Sequence, residues 1–364
     1  MVWLRDRRAP SVSRLAALLV ASCAAAAPVG YNRNNDEAGT EGETSDPAPE
    51  TDWFSAAGHG IFTHYLDGLQ NSAGSPNSNG RQTSWSDCVD EFDVEAYADS
   101  AAAAHAKFAF VTMMQGSRFL AAPNAVYDGY TGYAPGNATA RRDLPAELSA
   151  ALAARGIRLM LYWTGDGPWE DAQAAAGLGW PDAPASRSNV PQLFAERWAD
   201  VLREYAVRYG AAVGGWWQDG CYPTAFNYTS VKLRPYFDAV RAGNAGGLLA
   251  QNVGVRHPIS RYSPWEDFTC GESNDLVEVP AARFVNGSQW HTLSFLGEAW
   301  AAGGVRYNAT YLAEYVRAVN AVGGVVTVDA QLFRNGSINA AQVAVIGAAF
   351  AAAEARAAAA NTQA

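Results

Sequence analysis

Lysine is nearly absent: Lys107 and Lys232 are the only two in 364 residues. Acidic residues outnumber basic ones 36 to 26, and without residues 1–30 the balance is 35 to 22, a net charge of −13. A surface this acidic repels a polyphosphate backbone, and no basic run past Arg14 offers an anionic lipid a landing site. Nucleic acid, anionic membrane and phosphorylated partners are therefore not expected. Cysteine is scarce too. Cys23 lies near the N-terminus, and Cys88, Cys221 and Cys270 allow one disulfide and one leftover thiol, with no zinc-like spacing. The five histidines form no metal-ligand pattern with carboxylates, and no glycine-rich loop follows a strand candidate, so no metal or cofactor is expected. No apolar run reaches the roughly 20 residues that span a bilayer. What is present is an apolar share of 49% and a mean hydropathy of −0.14. That suits an ordinary globular core, and the length allows one domain of roughly 250–300 residues plus targeting and linker segments.

Residues 1–30 have the layout of a secretory signal peptide. Basic residues end at Arg14, an apolar run covers Leu15–Ala27, and small residues close it. Five Asn-x-Ser/Thr sequons, at Asn137, Asn227, Asn286, Asn308 and Asn335, fit export to an extracellular or secretory compartment. Residues 31–52 carry seven acids and almost no apolar residues, the composition of a disordered linker. The folded part is expected over 53–358, with a polar tail at 359–364.

Within it, short apolar runs alternate with helical periodicity. Strand candidates are Gly60–Leu66, Phe108–Met114, Ile157–Trp163, Gly214–Asp219, Leu248–Val253, Leu276–Val279, His291–Leu296 and Gly324–Ala330. Helices are expected over Val94–Ala106, Leu144–Arg155, Val190–Tyr209, Val231–Arg241, Tyr311–Val322 and Ala340–Ala357. Eight near-continuous apolar strands with helices between them predict an α/β fold, a (β/α)8 TIM-like barrel in a single catalytic domain, with an open doubly wound sheet as the competitor. In such a barrel the chemistry gathers at the C-terminal strand ends. Those ends read His64, Tyr65, Gln115, Trp163, Asp166, Asp219, Asn252, Glu278, His291 and Asp329. The two longest loops add Trp85, Trp169 and Trp180. Aromatic faces beside carboxylates and amides outline a carbohydrate site, because a pyranose packs its C–H face on a ring and offers hydroxyls to polar groups.

Several stretches carry a family resemblance. Gly60-Ile61-Phe62-Thr63-His64-Tyr65 is similar to the first-strand motif of the α-L-fucosidases of glycoside hydrolase family 29. Phe92-Asp93-Val94-Glu95-Ala96-Tyr97, with His105-Ala106-Lys107-Phe108, resembles their first helix and second strand. Arg142-Asp143-Leu144 and the run Arg155–Tyr162 resemble the third unit. Trp216-Trp217-Gln218-Asp219-Gly220 resembles the fourth-strand motif that ends on the nucleophile. Gly323-Gly324-Val325-Val326 and Asn335-Gly336-Ser337-Ile338 resemble the closing strand and helix. The family's His-His-Asp-Gly-Phe signature is missing, and Met113-Met114-Gln115-Gly116-Ser117-Arg118-Phe119 stands in its place.

The resemblance implies a secreted retaining exo-glycosidase acting on terminal α-L-fucosyl or closely related residues of glycans or glycoconjugates. The alternatives are a carbohydrate-binding barrel without turnover and a glycosidase for another sugar, such as a galactoside. Retaining hydrolysis needs two carboxyl groups about 5–5.5 Å apart. Asp219 is the nucleophile candidate. The acid/base is expected at Glu272 or Glu266, both in the loop that begins at Ser263, where Cys270 could staple the loop to Cys221. His64 matches a sugar-contacting histidine of the family. Gln115, Trp163, Trp217 and Trp85 complete the expected substrate contacts, with Arg118 a further replacement for a lost one.

Overall fold

The β-branched and aromatic runs form strands buried on both faces, as a parallel sheet wrapped by helices requires. In the computed structural model, which describes residues 51–361, seven of them pair in one curled parallel sheet. They are β1 (His59–Thr63), β2 (Phe108–Thr112), β3 (Arg158–Thr164), β4 (Val213–Asp219), β5 (Leu248–Gln251), β8 (His291–Phe295) and β9 (Val325–Asp329). A short antiparallel hairpin, β6 (Phe284–Val285) and β7 (Ser288–Gln289), precedes β8. The sheet order is β5-β4-β3-β2-β1-β9-β8, the neighbour order of a (β/α)8 barrel. The calls on signal peptide and most of the linker lie outside the described residues; Asp52, the linker's last acid, opens the first described helix, Asp52–Ala57.

The sixth position differs from expectation. Leu276–Val279 is not a strand: Leu276 is buried, but Val277 and Val279 are 66% and 45% exposed. An irregular segment over 267–273 fills the gap between β5 and β8. Asp267 N–H donates to Leu249 O at 2.8 Å, and Leu293 N–H donates to Gly271 O at 2.8 Å. Isolated parallel bridges join Phe268 to Gln289 and Glu272 to Leu293. Gly271, at φ +64, breaks the strand geometry, and a Cβ there would stand 2.0 Å from His291 O. A mixed polar run with a left-handed residue has no apolar period to read, which is why the neighbouring apolar Leu276–Val279 stands out instead.

Side chains alternate across the staves. Phe62, Phe108, Phe110, Met160, Tyr162, Trp217, Leu248, Phe268 and Leu293 fill the barrel interior. Ile61, Val111, Leu161, Trp163, Trp216 and Val328 face the helical layer. Helices Val94–Ala103, Leu144–Ala153, Gln192–Tyr209, Ser230–Gly243, Ala309–Asn320 and Ala340–Asn361 follow the expected pattern. Asp93 and Asp143 cap two of them, accepting from Ala96 and Ala146 N–H at 3.0 and 3.2 Å. None of the helices among the described residues is long and apolar enough to cross a membrane.

Candidate active site

Register between parallel strands decides which residues share a face. Tyr162 pairs with Trp217, and Thr164 with Asp219. Tyr162 therefore faces inward beside Trp217 and Asp219, whereas Trp163 faces the helical layer. There Trp163 stacks on Trp198, with ring centroids 4.3 Å apart, and it is not at the barrel mouth. Trp217, expected as a substrate contact, turns its ring inward. It stacks on Tyr162 at 5.5 Å and donates its indole N–H to Cys270 O at 2.8 Å, forming a floor below the strand ends.

Asp219 ends β4 above that floor. Tyr162 Oη donates to its Oδ2 at 2.7 Å, and Asn252 Nδ2 and Gly220 N–H donate to Oδ1, each at 2.8 Å. Tyr222 Oη adds a longer contact to Oδ1 at 3.4 Å. Burial raises the Asp219 carboxyl above its ordinary value and the nearby Asp166 charge adds to the rise, while the Tyr162 and Asn252 bonds oppose it. Gly220 has φ +68, and a Cβ at this position would stand 3.0 Å from Asp166 Oδ1.

Asn252, just past β5, also donates through Nδ2 to Glu272 Oε2 at 2.7 Å. Both carboxylates thus bond one nitrogen atom, so their oxygens lie no farther apart than 2.8 and 2.7 Å laid end to end. The irregular sixth segment delivers Glu272 to this point, and its side chain is buried. Asn252 stood among the strand-end residues in the sequence, but nothing there marks it as the group between the carboxylates.

The opposite side of the mouth is made by β1 and β9. His64 Nδ1 bonds Asp329 Oδ1 at 2.9 Å, and Ala301 N–H donates to Asp329 Oδ2 at 2.8 Å. With Nδ1 so engaged, Nε2 is the ring nitrogen left for a ligand. Trp300, missed in the sequence, sits edge-on to His64 with centroids 6.1 Å apart. Its Nε1 is buried with no hydrogen-bond partner among the described residues. No strand pattern points to Trp300, because it arrives on the loop after β8.

The remaining expected residues have these surroundings. Glu266 turns into its own loop, accepting from Ser263 N–H at 3.0 Å and Tyr262 N–H at 3.1 Å. Burial pushes its carboxyl up to about 8. Trp85 is buried against Tyr65 and donates to Leu120 O at 2.8 Å, so it supports the loop after β2 from within. Gln115 lies half-buried just beyond β2, and Met113 and Met114 are buried. Arg118 is held by Asp171 at 3.2 Å and Tyr133 at 3.4 Å. His291 lies inside the barrel between Thr269 O and Thr327 Oγ1, at 2.9 and 2.8 Å, and burial lowers it to about 4. Glu278 bonds His257 at 2.7 Å. The expected disulfide is not formed: Cys88, Cys221 and Cys270 are all free and buried. Cys221 belongs to the outer core and Cys270 to the barrel interior, on opposite faces of the wall. Among the described residues no group of three His, Cys, Asp or Glu side chains could hold a metal ion.

No protein-family model matches the sequence, and no curated protein does. Solved structures do match. An α-L-fucosidase of family 29 from Bacteroides thetaiotaomicron has a TM-score of 0.59 at 18% identity, covering 86% of this chain and 75% of that one. The α-L-fucosidase of Lactobacillus casei, in complex with its α-L-fucose product, has a TM-score of 0.58 at 17% identity, covering 84% of this chain and 98% of that one. An endo-fucoidan hydrolase of family 107 reaches 0.62 at 14% identity, covering 84% of this chain but 54% of that one. With the carboxylate pair at one end of a curled parallel barrel, the chain carries the fold of the family 29 α-L-fucosidases over most of its length.

Proposed function

We propose that the protein is a retaining exo-glycosidase of the α-L-fucosidase type, with Asp219 as nucleophile and Glu272 as acid/base. The carrying observation is the single Asn252 nitrogen that both carboxylates share. It draws the nearest oxygens of the two carboxylates together, which supports the roughly 5–5.5 Å spacing of a retaining pair over the roughly 6.5–9.5 Å of an inverting one. In the first step Asp219 Oδ2, which accepts from Tyr162, attacks the anomeric carbon. The glycosidic C–O bond breaks, and Glu272 gives its proton to the departing oxygen. A water then attacks the same carbon, yields a proton to Glu272 and releases the Asp219 carboxylate. Trp217 and Tyr162 form the apolar floor, and His64 and Trp300 offer a ring nitrogen and an indole N–H to sugar hydroxyls.

Export belongs to the same proposal. The leader-like residues 1–30 support it, as do the five sequon asparagines, all of them exposed. The test is hydrolysis of an aryl α-L-fucoside beside a panel of other aryl glycosides, with the product anomer read by NMR. The proposal expects first-formed product of retained configuration and loss of turnover in a folded Asp219→Ala variant. An inverted product or unchanged turnover in that variant overturns it. A second reading keeps the mechanism and changes the sugar. It is favoured by Met113 and Met114, buried and apolar where the family resemblance would place two histidines. Turnover of another glycoside alone selects it.

A further inference from the structure

Asp166 stands next to Asp219 in space. Its Oδ1 would lie 3.0 Å from a Cβ on Gly220, the residue whose N–H donates to Asp219, and Gly165 N–H donates to Asp219 O at 2.7 Å. Asp166 is buried and accepts from Thr164 Oγ1 and from Arg187 Nε, the latter at 2.8 Å, with a second bond from Arg187 Nη2. Arg187 comes from the far end of the long loop after β3. Its guanidinium is held between the rings of Trp169 and Phe226, each 4.5 Å away. Such double stacking fixes the cation's position at small further entropy cost.

Resting on Asp219 as the nucleophile, we propose that Asp166 and Arg187 form a positioning pair. The guanidinium cancels a carboxylate charge that would otherwise bear directly on Asp219. The titratable and charged groups around Asp219 are Tyr162 from β3, Asp166 and Arg187 from the following loop, Cys221 and Tyr222 beyond β4, and Glu272 across Asn252. Asp166 is tied to the Arg187 cation. Without Arg187 the buried Asp166 charge would bear on Asp219 unopposed. Arg187 itself contacts no reacting atom in this assignment.

A charge cycle tests it. Asp166→Asn leaves an uncancelled guanidinium beside Asp219, so the acid limb of kcat/KM moves down by about one pH unit. Arg187→Met leaves two carboxylates and splits the limb or moves it up. The double variant restores neutrality and returns the limb to that of the parent enzyme. A merely structural ion pair predicts loss of stability with no movement of the limb, and a double variant as displaced as the singles overturns the proposal. A 13C titration of aspartate-labelled protein, with the Asp219 resonance identified by its loss in Asp219→Asn, reads the same shifts without turnover. Asp219 moving as stated in protein that hydrolyses no glycoside would sink the enzyme assignment and keep the pair. An unmoved Asp219 resonance sinks the pair.

Discussion

Asp219 and Glu272 are joined through one atom, the Nδ2 of Asn252, which donates to both at 2.8 and 2.7 Å. This amide spaces the carboxylates and stabilises charge on each. Asn252→Ala is therefore expected to lower kcat about 100-fold with a smaller change in KM. Asn252→Asp should be worse, since it puts a third carboxylate where the donor stood. Steady-state kinetics on a folded variant decide, and a kcat within a factor of two of the parent would remove Asn252 from the site.

Tyr162 Oη holds Asp219 Oδ2 at 2.7 Å and opposes the rise that burial imposes on that carboxyl. Tyr162→Phe removes the donor and keeps the ring on Trp217. The acid limb of kcat/KM is expected to move up by about one pH unit, the scale of a hydrogen bond to a charged group. A profile that superimposes on the parent's would contradict the geometry.

Glu266 makes a stability prediction instead. Folded, it keeps its proton to about 8, whereas its ordinary value is 4.5. The folded chain binds the extra proton between those values. The favourable contribution is full below 4.5 and is lost as pH rises toward 8. Thermal midpoints measured from pH 5 to pH 8 should fall less steeply in Glu266→Gln than in the parent, with turnover retained.

Asp329 orients His64 and also anchors the loop of Trp300 through Ala301 N–H. Asp329→Asn leaves a neutral partner that no longer fixes the imidazole tautomer. KM for a glycoside should rise about 10-fold with a smaller loss in kcat, because in the proposed site the ring faces substrate hydroxyls rather than the breaking bond. Equal falls in kcat and kcat/KM would place His64 in the chemical step.

Free thiols give a direct count. With Cys88, Cys221 and Cys270 reduced and buried, a thiol reagent should react slowly with them in the native protein and, in a chain freed of residues 1–30 and so of Cys23, find all three after denaturation. The thermal midpoint should not depend on added reductant. One reactive thiol in denaturant would mean that the disulfide forms after all.

The sequence exposes what depends on composition and period. Runs such as Phe108–Thr112 and Val325–Asp329 are apolar on both faces, and Asp219 closes one of them, so staves and nucleophile candidate are visible from the chain alone. Trp163 and Tyr162 were not separated, because both look alike at a strand end and only the pairing of Tyr162 with Trp217 says which turns inward. Glu272 and Glu266 look equivalent in one loop, and backbone donors at Tyr262 and Ser263 capture one of them. Trp300 depends on a loop path that no local pattern encodes.

The two carboxylates are mounted on supports of unequal stiffness. Asp219 terminates a stave that is paired along both sides, with β3 and β5. Glu272 rides on a segment tied by isolated bridges around a left-handed glycine. Local opening follows the weaker ladder. As the barrel loosens under heat or denaturant, Glu272 should therefore depart before Asp219 does. The proposed catalysis would then fail while most of the core stays assembled, and amide exchange around residues 267–273 would outpace that of β4.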